Sequence, residues 1–173
     1  VGGENEETMG IEETLKRAEV FLGLEDDDLS KIAALPSCRE EVYEAGDTIF
    51  HFEDEARFLY VLQEGQVDLT MEVTSTYTAG TEVVIDTVRK GGFFGWSALV
   101  KPHSYVMAAV CRKPSRVVAI NGTELAALFD ADNCIGYKVM RSLTHIIGTR
   151  LRYLEQLIAT GERRPFFEKR KAG

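Results

Sequence analysis

Between Glu40 and Ile120 the apolar residues of this chain recur with a period of two, in short runs broken by turn sequences. Glu41-Val42-Tyr43, Thr48-Ile49-Phe50, Phe58 to Leu62, Val67 to Val73, Val83 to Val88, Val106 to Cys111 and Val117 to Ile120 are rich in β-branched and aromatic residues. That period puts alternate side chains on opposite faces of a pleated strand, so each run reads as a strand. Ala45-Gly46-Asp47, Glu64-Gly65-Gln66, Ala79-Gly80-Thr81 and Lys113-Pro114-Ser115 separate the runs and read as turns. Strands this short, turned this often, predict a closed antiparallel β-roll or jelly roll of about eight strands around a cavity.

On both sides of this block the period is helical. Ile11, Leu15, Ala18 and Phe21 or Leu22 form one apolar stripe, and Leu29, Ile32, Ala33 and Leu35 a second. Acidic residues from Glu25 to Asp28 suit the start of the second helix, and Pro36 ends it. After Ile120, Asn121 or Thr123 caps a short helix reaching Phe129, and Asp132-Asn133 caps a long one without proline from Ile135 to Ile158. The expected fold is α+β and mainly β: a roll with N-terminal helices and a long C-terminal helix. The expected segments are a helical lead-in over 1–38, the roll over 39–121, C-terminal helices over 122–160 and a basic tail over 161–173.

The long helix predicts a partner. Heptad counting places Met140, Ile147 and Leu154 at one seam position and Leu143, Arg150 and Leu157 at the other, flanked by Val139, Ile146 and Tyr153. Packing on its own roll explains part of this seam, and a homodimer through residues 135–158 explains the rest. Arg150, the charged intruder, then calls for a carboxylate from Glu155 or from the second chain.

Charge limits the partners further. The formal net charge is -8, with acid concentrated from Glu4 to Asp28 and basic residues towards the C-terminal end. Neutralising a nucleic-acid backbone needs Lys and Arg, so direct DNA binding is not expected. No apolar run approaches the roughly 20 residues that cross a bilayer, and Val1 to Gly10 is acidic, unlike a signal peptide. A cytoplasmic protein without membrane insertion is expected. Cys38, Cys111 and Cys134 are far apart in sequence and read as reduced thiols.

Gly91-Gly92-Phe93-Phe94-Gly95-Trp96-Ser97-Ala98-Leu99-Val100, followed after a short gap by Tyr105-Val106-Met107-Ala108, carries the functional signal. Glycines before a short turn let an oxyanion approach backbone N–H groups with no Cβ in the way. With Phe21-Leu22-Gly23-Leu24, Ala45 to Phe50, Leu59-Tyr60-Val61 and Glu64-Gly65-Gln66-Val67, this stretch resembles the cyclic nucleotide-binding domain family, in particular its Crp/Fnr-like sensors. The resemblance runs from about Phe21 to Leu157. It implies a β-roll, a long dimer helix and a non-enzymatic regulatory function, with a cyclic nucleotide or another small molecule as ligand.

Two cassette positions depart from the family. Trp96 stands where the resemblance implies a ribose-binding Glu, and Tyr105 where it implies a phosphate-binding Arg. A lesser departure is Glu53-Asp54, where the family usually carries Gly-Asp. The ligand-binding residues implied are Gly95, Trp96, Ser97, Ala98, Tyr105 and Val106, with Arg150 and Tyr153 of the long helix closing over the ligand. Tyr105 brings one hydroxyl and no charge, and Trp96 brings bulk and one N–H. Reduced or lost affinity for cyclic AMP and cyclic GMP follows, unless Arg57, Lys101 or His103 serves as a substitute cation. Trp96 reads equally as a stacking platform and as core filling.

Three other functions compete with this reading. An orphan interaction module would have its roll filled by Trp96 and Tyr105. A cupin-type metalloprotein would need several His and carboxylates converging on one metal, and His51-Phe52-Glu53 supplies little of that set. A transcription factor would need a helix-turn-helix after the long helix, where residues 159–173 are too few.

Overall fold

The computed structural model describes residues 10–75 and 78–160. Helix α1 (Ile11–Arg17) leads into a 3-10 turn (Glu19–Phe21) and helix α2 (Asp26–Ala33). The single stripe expected from Ile11 to Phe21 is therefore interrupted, because Ala18 leaves the helix with extended backbone at φ -72° and ψ 128°. At the start of α2, Glu25 and Asp28 each accept the other's backbone N–H, satisfying two donors that a helix end leaves open.

Six antiparallel strands follow: β1 (Arg39–Tyr43), β2 (Thr48–Phe50), β3 (Phe58–Ser75), β4 (Thr78–Val88), β5 (Phe93–Phe94) and β6 (Ala108–Asn121). They run in the order β1-β6-β3-β4, with β2 on β6 and β5 on β3. Fewer and longer strands replace the eight short ones expected. Glu64-Gly65-Gln66 and Lys113-Pro114-Ser115 are not turns; they lie opposite one another inside β3 and β6, where the register shifts. Gly65, at φ +96°, bends β3 there, and a Cβ on it would run into the Pro114 carbonyl and Ser115. Gly80 likewise lies inside β4. A residue in the left-handed region also occurs at Glu53, at φ 68°, the position where the family usually carries glycine.

Period two sorts the core into two clusters. Leu59, Val61, Phe93, Val118 and Ile120 face the helices, where they meet Leu15, Val20, Phe21, Leu29 and Ile32. Their neighbours Tyr60, Leu62, Phe94, Val117 and Ala119 face the inside of the roll with Phe50, Leu69 and Tyr105.

Helix α3 (Gly122–Ala131) is capped by the Asn121 side chain, which accepts from the amides of Thr123 and Glu124. Asp132 then accepts from the Ile135 amide at 3.3 Å at the start of α4 (Asn133–Thr160). Helix α4 buries Ile135, Val139 and Leu143 against the helix-side core. Leu143, expected in a seam with another chain, is thus covered by its own domain, while Tyr137, Met140 and Leu151 stay exposed. The side chains of Tyr153, Leu154 and Leu157 lie outside the described residues.

Candidate ligand-binding site

A cavity of about 260 Å³ lies between the roll and the C-terminal half of α4. Phe50, Leu69, Tyr105, Val106 and Met107 line it from the roll side, Ile85 and Asp86 from β4, and Gly95, Trp96 and Ser97 from the cassette. Ile147, Arg150 and Leu151 close it from α4.

The cassette backbone is set by Gly95, which sits at φ 75°. A Cβ there would lie 2.8 Å from the Phe58 carbonyl, so glycine is demanded both by conformation and by space. From Gly95 the chain enters a 3-10 turn (Trp96–Leu99). The Ala98 amide donates to the Gly95 carbonyl at 3.1 Å and is not available to a ligand. The amides of Trp96 and Ser97, first in the turn, find no backbone acceptor among the described residues. The cradle is therefore two amides wide. Ala98 itself is buried in the roll core and backs onto Gly122, where a Cβ would collide with the Ala98 carbonyl.

Tyr105 is locked. Its hydroxyl donates to the Phe58 carbonyl at 2.8 Å and accepts from the Phe58 amide at 3.2 Å. Its ring stacks on Phe50 with centroids 3.6 Å apart and planes 11° apart, and these two rings form an aromatic floor backed by Tyr60 and Phe94. Burial pushes the Tyr105 phenol above its ordinary pKa, against the pull of its hydrogen bond to Phe58. The single hydrogen bond expected from Tyr105 to a ligand is thus already made to the backbone, and what Tyr105 offers the cavity is its ring.

Arg150 is held loosely. Its Nη2 lies 3.6 Å from Asp86 Oδ2 and 3.8 Å from Glu19 Oε1, beyond hydrogen-bonding reach. Both partners belong to its own chain, and neither is Glu155. The guanidinium carbon stands 5.5 Å from the Phe93 ring centroid. Its Nε is buried and has no hydrogen-bond partner among the described residues.

Of the sequence-derived site residues, Gly95, Trp96, Ser97, Tyr105, Val106 and Arg150 meet at one cavity, and Ala98 lies behind it. The substitute cations do not line it: Arg57 pairs with Glu55 at 2.5 Å, and Lys101 and His103 are exposed. Asp86 escaped the sequence reading, although a lone carboxylate within Val83 to Val88 is the signal that marks it. Among the described residues no three His, Cys, Asp or Glu side chains are grouped to hold a metal, and no helix is long and apolar enough to cross a membrane.

The profile of the cyclic nucleotide-binding domain matches residues 40–132, more than half of the chain. This chain belongs to that family. A candidate cyclic nucleotide-binding protein from Geobacter metallireducens GS-15 is 31% identical, with 83% of this chain and 99% of that one covered at a TM-score of 0.67. The catabolite activator protein of Thermus thermophilus has the same fold at 21% identity and a TM-score of 0.67, with 82% and 62% covered. The regulatory domain of Toxoplasma gondii PKA, crystallised with cAMP, follows at 20% identity and 0.59, with 68% and 42% covered. No curated protein sequence matches the chain. As a cyclic nucleotide-binding domain, the chain places its cassette at the mouth of the roll, with Trp96 and Tyr105 where the resemblance implies charged ligand contacts.

Proposed function

We propose that this domain is a non-enzymatic regulatory sensor whose roll cavity takes a small molecule, with reduced affinity for cyclic AMP and cyclic GMP. The observation that carries this reading is the Tyr105 hydroxyl, engaged on both polar groups of Phe58 in the place of the family's arginine. A hydrogen bond to a charged group contributes about 1.5 to 3 kcal/mol, so its loss weakens binding about 10- to 100-fold. The open cavity supports a sensor over a module with a filled roll. Trp96 lines that cavity while packing against the helix-side core, and an aromatic residue there suits a flat ligand.

Helix α4 carries the signal in this proposal. It contributes Ile147, Arg150 and Leu151 to the cavity wall and also bears the exposed apolar residues Tyr137 and Met140. A homodimer through this stripe would let ligand in the roll bias the packing of α4 between two arrangements. Calorimetry and thermal-shift titration with cyclic AMP and cyclic GMP test the ligand claim; sub-micromolar binding of either overturns reduced affinity. Light scattering after size exclusion tests the dimer, and a monomer at high protein concentration overturns it.

A further inference from the structure

The charges that border the cavity answer one another. Arg150 Nη2 stands 3.6 Å from Asp86 Oδ2 and 3.8 Å from Glu19 Oε1, so one guanidinium faces two carboxylates and the cluster is net negative. Asp86 and Arg150 are the charged residues of the described lining. An anionic ligand would leave its hydration shell without a free cation to receive it, and an ion buried without a partner is strongly disfavoured. A cation fares little better. It would meet Arg150 as well as Asp86, and the rest of the described lining brings no second carboxylate.

The remaining wall is largely apolar. Leu69, Ile85, Met107, Ile147 and Leu151 surround the stacked rings of Phe50 and Tyr105, and the Tyr105 hydroxyl is engaged on Phe58. Ser97 also lines the cavity, and its hydroxyl suits a neutral donor or acceptor. At about 260 Å³ the cavity exceeds the roughly 150 Å³ that houses one benzene ring, which sets a scale of about two fused rings. Affinity in such a site comes from apolar surface removed from water.

Resting on the sensor reading, we infer that the ligand class is an uncharged, mostly apolar aromatic molecule of about two fused rings. It lies between the Phe50 and Tyr105 floor and the α4 wall, with a neutral polar group towards Ser97. Cyclic AMP and cyclic GMP are then disfavoured by their charge as well as by the engaged Tyr105 hydroxyl.

The test is calorimetric titration of the whole chain at neutral pH with 2-naphthylacetamide, 2-naphthylacetate, 2-(2-naphthyl)ethylamine and cyclic AMP. The three naphthalenes are close in shape and differ in charge. The amide is expected to bind about 10- to 100-fold more tightly than the acid or the ammonium, because only the charged forms must be desolvated as ions. Asp86→Asn, which keeps an oxygen for the Thr87 amide, is expected to narrow the gap between amide and acid about 10-fold by removing a negative charge from the wall. Leu151→Ala, at a half-exposed position of the wall, is expected to weaken the amide about 3- to 10-fold through lost apolar contact. Circular dichroism and thermal melts establish that both variants fold, and the order of the three naphthalenes in the unaltered chain tests the class without any variant. Acid or ammonium bound as tightly as the amide, or binding of cyclic AMP alone, overturns the uncharged class and leaves the sensor reading standing. An unnarrowed gap in Asp86→Asn, or unchanged amide binding in Leu151→Ala, overturns it as well. Binding of none of the four compounds overturns both.

Discussion

The aromatic floor of the cavity and its α4 wall differ in how fully their polar atoms are satisfied. On the floor, the Tyr105 hydroxyl makes two hydrogen bonds to Phe58 and its ring stacks at 3.6 Å on Phe50. On the wall, Arg150 makes only two long ion pairs and keeps its Nε without a partner among the described residues. The floor is thus built as core that happens to border a cavity, whereas the wall retains unmet hydrogen-bonding capacity. With Trp96 and Tyr105 at the two cassette positions, the charged groups that border the cavity are Arg150 of the helix and Asp86 of β4.

Substitutions on the two sides break this comparison in different ways. Tyr105→Ala removes a buried stacked ring and leaves two Phe58 groups unpaired, and is expected to destabilise the fold by about 3 to 5 kcal/mol in denaturant unfolding. A loss under about 1 kcal/mol would show that the floor is not structural. Tyr105→Phe keeps the stack and removes only the hydroxyl, with an expected loss of about 1 to 3 kcal/mol for the unpaired backbone groups. Arg150→Met, measured in the same way, is expected to cost less than Tyr105→Ala, because its ion pairs are long, although it leaves Asp86 without its cation. A loss as large as that of Tyr105→Ala would show that Arg150 is a structural clamp.

The smallest effect is expected at the root of α4. Asp132 accepts from Lys31 at 2.9 Å and from the Ile135 amide, and the Lys31 hydrogen bond is the main cause that holds its carboxyl below the usual range. A carboxyl depressed in the folded state stabilises above its unfolded pKa, and that contribution is lost as pH falls through the folded one. Lys31→Ala should therefore melt slightly lower than the unaltered chain near neutral pH, with the gap closing below about pH 4. A gap that persists in acid would assign the effect to packing. Lys31 is exposed and Asp132 only partly buried, so the effect on stability is small.

Much of the fold is legible in local pattern. The change of period at Glu40, the Asn121 cap and the proline-free run after Asp132 correspond to β1, α3 and α4. The strand count is less legible, because Gly65 and Pro114 are strong turn residues in isolation. Only their opposition across the β3 and β6 pairing turns two expected hairpin corners into a bend within continuous strands. The cassette is legible as a frame: Gly95 has the conformation and the crowding that require glycine, and Trp96 and Ser97 reach the cavity.

What the sequence by itself determined is the set of faces. Alternation along β3 and β6 divides Leu59 from Tyr60 and Val117 from Val118, because neighbouring side chains on a strand must point to opposite sides. Only the tertiary structure decided which groups satisfy one another. Tyr105 reaches the backbone of Phe58 through strand pairing and loop closure, and Arg150 meets Asp86 and Glu19 because α4 crosses the roll at that level. Hydrogen bonds and ion pairs act over a few ångströms between residues far apart in the chain, and no periodicity encodes such distances.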